Sequence, residues 1–103
     1  MSILKEIIDD AIKAIDINTD LFYQNKIDEG YKQLDNTLIR ISNAVEEIIR
    51  YQQESGHYVQ GEKIVGILTE AMQALESKDA LLLADILNYD LREIFEDIKE
   101  NVQ

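Results

Sequence analysis

The chain has 103 residues, an apolar share of 46% and a net charge of −11, from 21 acidic and 10 basic residues. This length and apolar share fit one globular domain, while the acidic excess without a cluster of lysine and arginine argues against nucleic acid and anionic membrane surfaces as partners. The chain has no cysteine, which excludes disulfides, thiolate metal sites and a cysteine nucleophile. It also has no proline, which favours long helices with few connections.

Membrane and export signals are not expected. The first 20 residues carry acids every few positions, unlike a signal peptide, and the longest apolar run, Ala80–Ala84, is far shorter than the roughly 20 residues of a membrane span. We therefore expect a cytoplasmic protein.

The first helix is predicted over residues 2–17. Its apolar stripe consists of Leu4, Ile7, Ile8, Ala11, Ile12 and Ile15. Such a stripe indicates either a bundle helix or a detachable helix that docks in a partner's groove or swaps between subunits. A break is predicted at Asn18–Asp20, where Asn18 or Thr19 can cap the next helix.

The second helix is predicted over residues 20–53 and is the longest. Its apolar seam, with alternating steps of four and three residues, consists of Ile27, Tyr31, Leu34, Leu38, Ile41, Val45 and Ile48. Gly30 in its interior indicates close packing of another helix, or alternatively a kink. Gly56 is a suitable helix stop in the loop Glu54–Gly61, which also holds His57 and Tyr58.

The third and fourth helices are predicted over residues 62–77 and 80–101, and Asp79 is predicted either to cap the latter or to lie in its first turn, where its charge suits the helix dipole. The segment Leu81–Leu87 is apolar nearly all round, so it must be covered by the bundle or by a second subunit. These elements predict an all-α, antiparallel four-helix bundle with one long central helix. The alternative is a three-helix bundle with an appended N-terminal helix.

Catalysis and metal binding are not expected, although carboxylates are numerous. A carboxylate-bridged metal bundle uses inward Glu-x-x-His motifs on facing helices, whereas the single histidine of this chain, His57, lies in a predicted loop with no nucleophile or second histidine nearby. We therefore predict no catalytic residue, no metal ligand and no cofactor. Asp85 lies within an apolar stretch. It is either a buried acid that holds a hydrogen-bond network or a partner's basic group, or a residue on the solvent-exposed strip of its helix.

The remaining signal is interaction with protein, which here means a partner or a second copy in a homodimer. The candidate contact residues are the apolar and aromatic positions of helix one, of the start of helix two and of helix four: Leu4, Ile8, Ile12, Ile15, Phe22, Tyr23, Leu82, Ile86 and Tyr89. The predicted function is a non-catalytic helical interaction module, such as an adaptor or chaperone; the alternative is a carboxylate-based metal-binding bundle or enzyme.

The segments Ile67–Met72, Lys78–Asp79 and Leu82–Leu91 resemble short helical proteins of unassigned role in Gram-positive bacteria. The resemblance covers Leu21 to Phe95 and implies no catalytic residues. The order of helices is also similar to that of flagellar export chaperones of the FliS kind, which clamp an unfolded flagellin tail.

Overall fold

The computed structural model of the chain describes residues 3–56 and 61–102, and the regular structure in these ranges consists of four helices. Helix α1 spans Ile3–Tyr23, α2 spans Ile27–Ser55 and α3 spans Gly61–Glu76. Helix α4 is continuous and has three parts: Ala80–Asp85, a π-helical segment Ile86–Leu91 and Arg92–Asn101. The predicted all-α helical bundle is confirmed. The predicted helix start at residue 2 and the loop residues His57 and Tyr58 lie outside the described residues.

The break between the first two helices lies later than predicted. The chain continues helically through Asn18–Asp20 and turns at residues 24–26, so the predicted end of helix one and start of helix two are wrong. Thr19 Oγ1 donates to the carbonyl oxygen four residues earlier at 2.8 Å, and Asn18 Nδ2 donates to the carbonyl oxygen of Gly30 at 2.9 Å. Both side chains therefore form hydrogen bonds within the pair of helices instead of capping a helix. Residue type alone does not show which of these roles a side chain takes.

Three of the helices' ends are fixed by residues in the left-handed conformation. Asn25 after α1 has φ 62°, Gly56 after α2 has φ 77° and Lys78 after α3 has φ 58°. The backbone hydrogen bonds after α1 and α3 follow the Schellman pattern, which pairs the last carbonyl groups of a helix. The predicted stop at Gly56 is confirmed, and so is the predicted cap at Asp79, whose Oδ1 accepts from the amide of Leu82 at 3.1 Å.

Helix α1 lies at the centre of the packing, although α2 is longer. It contacts α2 along its length and also contacts all three parts of α4. Its buried residues are Leu4, Ile8, Ala11, Ile12, Ile15, Asn18, Thr19 and Phe22. Because this face is covered within the chain, the alternative of a three-helix bundle with an appended N-terminal helix is wrong, and α1 is docked on the bundle.

Three polar contacts fix the antiparallel register of α1 against α4. Lys99 Nζ lies 2.8 Å from Asp9 Oδ1, and Arg92 Nε lies 3.2 Å from Asp16 Oδ1. The third contact is the hydrogen bond from the Tyr23 hydroxyl to Asp85 Oδ1, at 2.6 Å. Each step of seven residues forward along α1 is matched by a step of seven residues backward along α4. The two helices therefore keep the same pair of faces together over their shared length.

The π-helical segment of α4 has a basis in its sequence. Leu83, Leu87, Leu91 and Phe95 are fully buried and follow one another at intervals of four residues. In an unbroken α-helix of 3.6 residues per turn, such a series drifts around the axis. A π-helix has more residues per turn, because its hydrogen bonds join residues five apart, and it brings these side chains back towards one face.

Candidate protein-interaction surface

The predicted contact residues separate into two groups in the structure. Six of them are buried in the core of the single chain: Leu4, Ile8, Ile12, Ile15, Phe22 and Ile86. Their assignment to an interaction surface is wrong, because the apolar stripe of α1 is covered by α2 and α4 of the same chain, and Ile86 of α4 lies in the same core. A sequence pattern shows that a stripe must be buried but does not show what buries it.

The other three, Tyr23, Leu82 and Tyr89, are 41%, 47% and 61% exposed. Tyr23 ends α1 and lies against Asp85 of α4. Leu82 precedes Asp85 by three residues and Tyr89 follows it by four, spacings that place all three on one face of a helix. Leu81, four residues before Asp85, is also exposed. We call the five residues Tyr23, Leu81, Leu82, Asp85 and Tyr89 the tyrosine surface.

The hydrogen bond between Tyr23 and Asp85 gives this surface a fixed centre. The phenol donates to the carboxylate at 2.6 Å, a length typical of a hydrogen bond to a charged acceptor. The pKa of Tyr23 is raised above its ordinary value of 10.0, mainly because the phenol is partly buried and secondly because it bonds to Asp85. The phenol therefore stays protonated and remains a donor at neutral pH. Asp85 itself is exposed, so the interpretation of Asp85 as a buried acid is wrong, and the residue lies on the solvent-exposed strip of α4.

The tyrosine surface extends onto the π-helical segment, which sequence reasoning missed. This segment turns Ile86, Leu87 and Leu91 into the core while Tyr89 points outwards. Single π-helical turns within α-helices occur frequently at functional sites. The four-residue spacing of the buried leucines is the signal that could have indicated it.

A second surface, which is concave and which we call the acidic groove, lies between α3 and the C-terminal half of α4. It has a volume of about 480 Å³ and is lined by Lys63, Gly66, Ile67, Glu70, Asp90, Glu93, Ile94 and Asp97. Sequence reasoning placed the acids of α4 on a solvated face and did not place α3 beside them. The groove depends on how two helices diverge, which their separate patterns do not show.

The described residues do not suggest a site for a metal ion or a membrane span. Within residues 3–56 and 61–102, no three His, Cys, Asp or Glu side chains are grouped so that they could hold a metal ion. Among the helices in the same ranges, none combines the length and apolar character needed to cross a bilayer.

Comparison with known proteins places the chain in a family without assigning it an activity. No curated protein and no solved structure matches the chain. The model of one family, described as a domain of unknown function (DUF8042), matches residues 1–101. The resemblance to uncharacterised proteins is thus confirmed at the level of an uncharacterised family. Because this match covers nearly the whole sequence, the chain belongs to the DUF8042 family.

Proposed function

We infer that the protein is a non-catalytic helical module that binds another protein through the tyrosine surface. The observation that carries this proposal is the exposure of Tyr23, Leu81, Leu82 and Tyr89 around one hydrogen-bonded carboxylate. Single exposed apolar residues are common on protein surfaces, whereas a group of them that includes aromatic residues favours an interface. Tyrosine is also among the residues that contribute most to binding at interfaces.

Contacts within the chain hold the centre of this surface in place. Tyr23 is held by Asp85, and the helices that carry both residues are packed through the ion pairs Asp9–Lys99 and Asp16–Arg92. Binding to a rigid surface costs less conformational entropy than binding to a mobile one, which increases affinity without additional contacts. This supports use of the surface as a preformed docking face.

The expected partner is a different protein that presents apolar side chains and a hydrogen-bond donor or basic group to Asp85. In a symmetric homodimer the same patch is used by both subunits, so Asp85 and the neighbouring Asp90 of each copy would approach those of the other. Two chains with a charge of −11 each also repel one another before contact. An export-chaperone-like role, with a partner segment held on this face, is the most specific form of the proposal.

A photo-crosslinking residue placed at Leu82 in the host cell tests the proposal. The matched control is Ile49 on α2, which is 44% exposed and lies outside the tyrosine surface. We expect a discrete crosslinked protein from position 82 and not from position 49. With that protein purified, Tyr89→Ala should weaken binding about tenfold or more, as loss of an aromatic anchor does.

Three results would contradict the proposal. These are no crosslinked species at position 82, the same species from both positions, or a purified partner whose affinity is unchanged by Tyr89→Ala. Sedimentation of the purified protein provides a further check, because a stable homodimer through this face would replace the different protein with a second copy. The alternative of a carboxylate metal site or enzyme has no observation in the described residues to favour it.

A further inference from the structure

The acidic groove is formed by two matching stripes of side chains. Each stripe follows the spacing i, i+3, i+4, i+7, which places its members on one face of a helix. Helix α3 contributes Lys63, Gly66, Ile67 and Glu70, and α4 contributes Asp90, Glu93, Ile94 and Asp97. The isoleucine in each stripe is the least exposed large side chain, so the two isoleucines form an apolar floor between charged rims.

Gly66 keeps the groove open. It lies in the interior of α3, where glycine lowers helix stability relative to alanine. Its φ is not in the left-handed region, and among the described residues no atom beyond its own helical turn and chain neighbours lies within 4 Å of where its Cβ would be. Neither backbone conformation nor close packing therefore requires glycine here. A side chain at this position would occupy space beside Ile67 that is now empty.

The rim of the groove carries a charge that the described chain does not neutralise. Glu70, Asp90, Glu93 and Asp97 are exposed, and Lys63 is the one basic residue among the groove's lining residues. Within residues 3–56 and 61–102, none of the four carboxylates forms an ion pair, whereas Asp9 and Asp16 of α1 pair with basic residues of α4. Concave surfaces lined by one sign of charge attract ligands of the opposite sign.

We propose that the acidic groove binds an amphipathic segment of a partner protein that carries an apolar side chain flanked by lysine or arginine. The apolar side chain lies on Ile67 and Ile94, in the space left by Gly66. The basic side chains extend along the rims, where their aliphatic stems cover apolar surface and their charged ends reach the carboxylates. This groove is a second site, so the inference goes beyond the proposed role of the tyrosine surface and does not depend on it.

A synthetic peptide of about 15 residues, with leucine every third or fourth position and four lysines beside the leucines, is a suitable probe at a length that can sustain some helix. Its binding to the full chain is measured by fluorescence anisotropy. A second peptide with glutamine in place of every lysine tests the role of charge. Spermine, which has charge but no branched apolar group, tests the role of the floor.

Two pairs of substitutions separate the groove from the overall charge. Glu70→Gln with Asp97→Asn removes two charges from the rims, and Glu29→Gln with Asp35→Asn removes two from exposed positions of α2. We expect the first pair to weaken peptide binding by about tenfold and the control pair by less than about twofold, because only the first removes close charge contacts. Gly66→Leu should fill the groove and also weaken binding by about tenfold, with the helical circular dichroism spectrum retained.

Four results would overturn the inference. Equal weakening by the two charge pairs would mean that binding follows net charge alone, and unchanged binding by the glutamine peptide would mean that the rims are not used. Displacement of the peptide by spermine at equal concentration would mean that the floor is not used. Full binding by Gly66→Leu would place the peptide elsewhere; if that variant does not fold, Gly66→Met replaces it. The crosslink at Leu82 and the variants of Gly66 probe different residues, so each of the two proposals can fail without the other.

Discussion

Gly30 and Gly66 occupy similar positions, each within a helix and beside an apolar residue, but their surroundings in the fold are opposite. A Cβ atom on Gly30 would lie 2.5 Å from Cε1 of the Phe22 ring, whereas a Cβ atom on Gly66 would meet no described atom within 4 Å beyond its own helical turn and chain neighbours. The contact between α1 and α2 is thus filled to the limit that the backbone permits, and the contact between α3 and α4 retains free space. The contact between α1 and α2 is therefore a closed core, whereas the contact between α3 and α4 is open enough to admit another side chain.

The largest expected difference between the two regions comes from removing an apolar side chain from each. Phe22 is 1% exposed and packs edge-on against Tyr31, with ring centroids 5.2 Å apart. We expect Phe22→Ala to lower the free energy of unfolding by about 3–5 kcal/mol, because it leaves a cavity in a closed core. Ile67→Ala, in the half-buried floor of the groove, should cost about 1 kcal/mol or less, since solvent already reaches it. Urea unfolding of both variants measures the difference, and equal losses would show that both contacts are closed cores.

Adding a methyl group gives the next largest effect. Gly30→Ala should destabilise the protein by about 1–3 kcal/mol, because the overpacking against Phe22 exceeds the gain in helix propensity. In a Phe22→Leu background the same substitution should cost less, since the ring that it meets is absent. A double-mutant cycle with urea unfolding measures this coupling. An unchanged penalty in that background would mean that the ring is not the obstacle.

The same methyl group on the other glycine should have the opposite sign. We expect Gly66→Ala to raise the free energy of unfolding by about 0.5–1 kcal/mol, because alanine restricts the unfolded chain and nothing in the groove resists the methyl group. Thermal and urea unfolding should both show the increase. A loss of stability would mean that the space beside Gly66 is filled in solution.

The smallest effect concerns the ion pair between Asp9 and Lys99. The hydrogen bond between the two groups is the main cause that lowers the pKa of Asp9 and raises that of Lys99. The ion pair therefore contributes its full share of the folding stability at pH values between the ordinary pKa of Asp, 3.8, and that of Lys, 10.5. This stability is lost as pH falls through the lowered pKa of Asp9 and as pH rises through the raised pKa of Lys99.

We expect Lys99→Gln to lower stability by about 0.5 kcal/mol at neutral pH, since both groups are partly exposed to solvent. The difference from the unaltered protein should vanish at pH values below the lowered pKa of Asp9. Lys32→Gln on α2 is the matched control and should show no such dependence. Urea unfolding as a function of pH checks both variants, and a constant difference down to low pH would exclude the ion pair as its source.

Helix content and several helix ends could be predicted from sequence, because they depend on local rules. The stop at Gly56 and the cap at Asp79 each require a residue type that the sequence displays directly. The apolar seam of α2 also gave buried positions correctly at Leu34, Ile41 and Ile48. The break at Asn18–Asp20 was placed wrongly because Thr19 bonds back to a carbonyl group of its own helix, and Asn18 bonds to Gly30, a partner that is present only when α1 and α2 pack together.

The candidate sites were harder to predict because they depend on which helices cover one another. Ile8 and Leu82 look alike as apolar members of helical stripes, yet the first is buried against neighbouring helices and the second faces solvent. The acidic groove likewise exists because α3 diverges from α4, and the apolar pattern of a single helix does not show that divergence. Sequence reasoning therefore named Tyr89 as a candidate contact residue by its residue type and missed the groove altogether.

The matched seven-residue steps of α1 and α4 also constrain how the chain can change in length during evolution. A single-residue insertion between Asp9 and Asp16 would rotate the start of α1 by about 100°, the turn per residue of an α-helix. Asp9 would then leave Lys99, while the two later contacts of Tyr23 and Asp16 stayed in place. Insertions and deletions of one residue should accordingly be rare within these two helices among members of the family.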